Sequence, residues 1–94
     1  MDIVWTRSAG ESLNAIFDFI LADNPGAALD VCDRIERSVR PLAEFPGSGR
    51  PGRVPDTREL ILADLPDIIV YSHDDNEVTI LAIRHAAREW PDTF

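Results

Sequence analysis

The constraint that most limits how this chain can fold lies at Asn24-Pro25. Ahead of it, Ala9, Leu13, Ile16, Phe17 and Ile20 recur at helical spacing, which predicts a helix from about Arg7 to Ala22. Behind it, Ala28, Val31, Cys32, Ile35, Val39 and Leu42 repeat that spacing, and the second helix is expected to run to about Ala43. Asparagine followed by proline is a cap and a first helical residue, so the joint starts a helix rather than continuing one. Two apolar stripes separated by so tight a turn must share one core, which predicts an antiparallel helical hairpin. Thr6 or Ser8 can cap the first helix, and Ser8 with Glu11 has capping-box spacing. Pro41 sits inside the second pattern and should kink or end that helix near Arg40.

The remaining regular segments read as strands. Asp2–Trp5 is short and β-prone, and Thr57–Leu62, Asp67–His73 and Glu77–Arg84 follow a Pro- and Gly-rich loop spanning 45–56. Asp74-Asp75-Asn76 is a polar turn joining the last two into a hairpin. The expected fold class is α+β in the order β-α-α-β-β-β, with the helical hairpin packed on a twisted antiparallel sheet. In the last strand Val78, Ile80 and Ala82 alternate with Leu81 and Ile83, so both faces are apolar. Two helices cover one face only. The second is expected to be covered either by Trp90 and the C-terminal tail or by a partner chain.

Ninety-four residues suffice for one domain with a modest core, and 45% hydrophobic against 28% charged residues is ordinary for a globular protein. No apolar run reaches membrane-spanning length, and residues 1–5 lack a signal-peptide pattern, so a cytoplasmic location is expected. Cys32 is the lone cysteine, which excludes an internal disulfide; its place on an apolar helical face predicts a buried thiol. Net charge is −8, yet its distribution is uneven. All nine cationic residues are arginine. Five of them fall in two pieces: Arg50, Arg53 and Arg58 in the loop and the strand start, and Arg84 and Arg88 near the C-terminus. A small cationic site on an acidic body suits a specific partner better than diffuse nucleic-acid binding.

Guanidinium forks bind phosphate or carboxylate bidentately, so Arg58, beside Glu59, is either an anion ligand or one half of an ion pair. His85 next to Arg84 can serve as general acid or base, or be structural. His73 borders an acidic turn and reads as solvated, and Tyr71 reads as core. Trp5 and Trp90 read as packing anchors, although Trp90 beside Arg88 can also stack on a base. Two histidines and one cysteine show no metal-ligand spacing, and phosphate-loop, dinucleotide and nucleophile-elbow motifs are absent. No metal and no cofactor are expected.

The order and spacing of several motifs resemble the RelE/ParE superfamily of type II toxin–antitoxin toxins, in its ParE-like plasmid-stabilisation branch. They are Trp5-Thr6 with Ala9, Asn24-Pro25, Ala27-Ala28, Leu42 with Phe45-Pro46, Gly49-Arg50-Pro51-Gly52-Arg53, Thr57-Arg58-Glu59-Leu60, Ile80-Leu81, His85, Arg88 and Trp90-Pro91. The resemblance covers nearly the whole chain. It implies an antitoxin partner that wraps the toxin, and a toxic action by binding DNA gyrase without catalysis. The alternative it implies is a ribosome-dependent mRNA endoribonuclease using Arg58, His85 and Arg88, or a non-toxic antitoxin-bound module. The absence of lysine and of a terminal tyrosine departs from the ribonuclease branch. Asp67 and Ser72 depart from the ParE-like pattern, which has an aromatic and a basic residue there. Residues expected to meet target or antitoxin are Arg50, Arg53, Arg58, Glu59, Leu81, Ile83, Arg84, His85, Arg88 and Trp90.

Overall fold

A computed structural model describes residues 1–85. Strand β1 (Asp2–Trp5) leads into helix α1 (Arg7–Leu21), capped by Thr6. The Thr6 hydroxyl accepts the Ala9 N–H at 3.1 Å and donates to the Ile80 carbonyl at 2.9 Å, so one oxygen both starts the helix and ties it to the sheet. The Ser8–Glu11 box does not form: Ser8 lies within the helix, and Glu11 pairs with Arg7 at 3.2 Å. Helix α2 (Pro25–Val39) starts as expected, with the Asn24 side chain accepting the Ala27 N–H at 3.1 Å and proline in the first turn. It ends at Val39, short of the Ala43 that the apolar spacing reaches but where Pro41 is expected to end it. Arg40–Ala43 tightens into a 3₁₀ turn because Pro41 has no N–H for an α-helical bond. Cys32, expected buried, is half-buried; its thiol is pushed up by burial and by the neighbouring Glu36 carboxylate.

The strands that follow are β2 (Arg50–Pro51), β3 (Arg58–Ile61), β4 (Asp67–His73) and β5 (Glu77–His85). They form one five-stranded sheet in the order β1-β5-β4-β3-β2. The α+β class is as expected, with two corrections to the sheet. It is mixed rather than antiparallel, since β1 runs parallel to β5. A parallel neighbour needs a long crossover, and the helical hairpin lies within that connection. The loop also contributes a strand of its own: Arg50 and Pro51 pair with Glu59 and Arg58. Proline is compatible there because β2 is the sheet edge, where a missing N–H breaks no ladder. In the β4–β5 turn, Asp74 Oδ1 accepts the N–H groups of Asn76 and Glu77 at 2.8 and 2.9 Å. These bonds hold the exposed Asp74 carboxyl below its ordinary range.

The two-faced reading of β5 needs revision. Val70 pairs with Ala82 but Tyr71 pairs with Ile80, which leaves Leu81 as an extra residue in a bulge. One inserted residue reverses the alternation beyond it. Ile83 therefore joins Val78 and Ile80 in the core under the helices, together with Ile35, Leu42, Ile69 and Tyr71. Ala82 turns to the other face with Val70 and Ile68, all three buried. On that second face Val4 and Ile61 remain 40% and 51% exposed, so it is closed at the centre and open at its rims. Trp90 and the tail, one of the two covers considered, lie outside the described residues. Among the described residues no helix is long and apolar enough to cross a membrane.

Candidate partner-binding site

The arginine loop is organised around a buried carboxylate. Glu59, on β3, is 1% exposed. Its Oε1 accepts from Arg50 Nε and Nη2 at 3.1 and 2.8 Å, and its Oε2 accepts the Arg53 backbone N–H at 2.9 Å. The Arg53 guanidinium lies 3.9 Å from the same oxygen. Burial pushes the Glu59 carboxyl up, but the Arg53 N–H, the Arg50 hydrogen bonds and the two positive charges outweigh it and hold it below the ordinary range. A buried carboxylate satisfied in this way ties the loop to the sheet at Arg50 and Arg53.

Two glycines let the backbone pass this close. A Cβ on Gly49 would stand 2.6 Å from the Tyr71 hydroxyl and 2.9 Å from the Glu59 carbonyl, and one on Gly52 would collide with the Thr57 hydroxyl. The Tyr71 hydroxyl donates to the Pro46 carbonyl at 2.7 Å and accepts the Gly49 N–H at 2.9 Å, latching the loop from below. At the far end, Val54-Pro55-Asp56-Thr57 makes a tight turn with Asp56 at φ 64°, a conformation aspartate tolerates better than most residues.

The expected site residues are thus partly assembled and partly separated. Strand alternation puts Arg58 and Glu59 on opposite faces of β3. Arg58 lies on the helix side, where Nη1 donates to the carbonyls of Gly49 and Gly47 at 2.7 and 3.4 Å. Arg50 meets Glu59 directly. Arg84 shares that face, paired in register with Ile68 two strands from the loop. Leu81 is the half-buried bulge residue and Ile83 is core. His85 closes β5 opposite Asp67 in register. Arg88 and Trp90 lie outside the described residues. Tyr71 is core, as expected, and also latches the loop, a role that composition alone does not assign although a tyrosine in an apolar strand segment signals a hydroxyl needing a partner. Among the described residues, no three His, Cys, Asp or Glu side chains are placed to hold a metal.

Comparison with known proteins gives a consistent result. Residues 3–90 match the family model described as ParE toxin of type II toxin–antitoxin system, parDE. The chain is 48% identical over 92 residues to the protein Y4kP of Sinorhizobium fredii, covering 98% of this chain and 95% of the relative. It is 40% identical over 86 residues to toxin RelE2 of Caulobacter vibrioides, covering 92% and 96%. Among solved structures, a chain of the chromosomal ParDE toxin–antitoxin system from P. aeruginosa superposes with TM-score 0.82 at 34% identity, covering 90% of this chain and 95% of that one. A chain of the RelBE2 toxin–antitoxin complex from Mycobacterium tuberculosis shares the fold, with TM-score 0.62 at 21% identity over 89% and 95%.

Proposed function

The chain belongs to the ParE toxin family of type II toxin–antitoxin systems, and from that premise we propose that it arrests growth by binding a protein target, DNA gyrase, and is neutralised by a cognate antitoxin. The observation that carries this reading is the construction of the arginine loop. Arg50 and Arg53 close on Glu59 and Arg58 is tethered to loop carbonyls, which makes a rigid relief suited to recognition. A net charge of −8 disfavours the phosphate neutralisation on which RNA or DNA affinity depends. The superposition on a ParDE chain supports an antitoxin as partner.

The test is expression of the chain alone from a tightly controlled promoter. Growth arrest with DNA damage and intact messages is the expected outcome. Message cleavage would replace this reading with the endoribonuclease one, for which a relative named RelE2 is the motive. Normal growth at verified expression would leave a non-toxic, antitoxin-bound module.

A further inference from the structure

The β3 ladder stops short of its neighbour. Its last pair is Arg58 with Tyr71, while β4 continues through Ser72 and His73, paired on their other side with Thr79 and Val78. Thr57 is drawn away from the ladder by its turn: its N–H and hydroxyl donate to the Val54 carbonyl at 3.3 and 2.6 Å, and its carbonyl accepts the Gly52 N–H at 2.8 Å. The result is a notch of about 210 Å³ lined by Pro51, Asp56, Thr57, Arg58, Ser72 and His73. Small-molecule sites begin at roughly 300 Å³, so this volume suits one side chain rather than a metabolite.

Arg58 is the prepared group in the notch. Its Nη1 is fixed by the carbonyls of Gly49 and Gly47, and no described carboxylate lies within ion-pair distance of it. Arg50 and Arg53 by contrast close on Glu59. A guanidinium oriented through one nitrogen keeps N–H donors at Nε and Nη2 for an incoming anion. The surroundings narrow the choice of anion. Asp56 lines the notch, and His73 is followed by the exposed Asp74 and Asp75, so a polyanion would meet repulsion on approach. A single carboxylate flanked by cations would satisfy both the fork and the rim.

We propose that this notch is a socket for one carboxylate side chain, presented between basic residues by a segment of a protein partner. Resting on the reading above, that partner is the antitoxin. The test is an NMR titration of the full 94-residue chain with a capped pentapeptide bearing a central glutamate between lysines. Its control is the same peptide with glutamine. Saturable shifts should centre on the amides of Thr57, Arg58, Ser72 and His73 and on the Arg58 Nε–H, and the glutamine peptide should bind about tenfold more weakly. Ser72→Glu, which disturbs none of the loop's hydrogen bonds, should cost about tenfold by filling the mouth with like charge. Arg7→Gln, on α1, should change affinity by less than about twofold. Equal binding of the two peptides, or full affinity in Ser72→Glu, would overturn the socket. Tighter competition by a penta-uridylate at the same resonances would overturn its protein specificity. Because the titration needs no toxicity, its failure removes the socket and leaves any growth arrest standing.

Discussion

The hydroxyl of Tyr71 binds two backbone groups of a loop more than twenty residues away, so its loss exposes the strength of that latch. Tyr71→Phe leaves the Gly49 N–H and the Pro46 carbonyl without this partner and should cost about 1–3 kcal/mol in urea unfolding. Gly49→Ala should cost a similar amount, about 1–3 kcal/mol, because its Cβ would displace that same hydroxyl. Glu59 acts through charge. Its folded-state carboxyl titrates below the ordinary value of about 4.3, so its contribution is fully present above that pH and is lost as pH falls through the folded value. The wild-type advantage over Glu59→Gln, read from unfolding at a series of pH values, should therefore be constant near neutrality and shrink below about pH 4. An advantage that persists in stronger acid would show that shape rather than charge carries the contact.

At the scale of elements, the helices depend on two caps of unequal reach. Asn24 serves only α2, so Asn24→Ala should cost about 1 kcal/mol. Thr6 serves α1 and also bonds the Ile80 carbonyl, so Thr6→Val should cost more, about 2 kcal/mol, by calorimetry. The hairpin was legible because Asn24-Pro25 is local chemistry, and β4 has the bounds its composition implied. The bulge was not legible. Leu81, Ala82 and Ile83 are all apolar, so no change of polarity marks the reversal of phase. The pairing of β1 with β5 joins residues more than seventy positions apart and leaves no local trace. The arginine loop stood out by composition, yet its division between two faces follows from alternation at Arg58 and Glu59. That period was readable before the strand's neighbours were known.

For the molecule as a whole, the acidic balance sets the kind of partner it can hold. With −8 overall, the chain should show no retardation of duplex DNA at physiological salt in a mobility assay. Micromolar binding under those conditions would argue against the protein-recognition reading and for a phosphate-contacting one.

The parallel pairing of β1 with β5 has a bearing on timing. The first strand finds its neighbour only after the last described strand has been made, and the Thr6–Ile80 bond waits with it. During synthesis the helical hairpin has no completed sheet to pack on, and contacts this distant in sequence form slowly. The growing chain therefore cannot complete its sheet or anchor the start of α1 to it while β5 is still inside the ribosome.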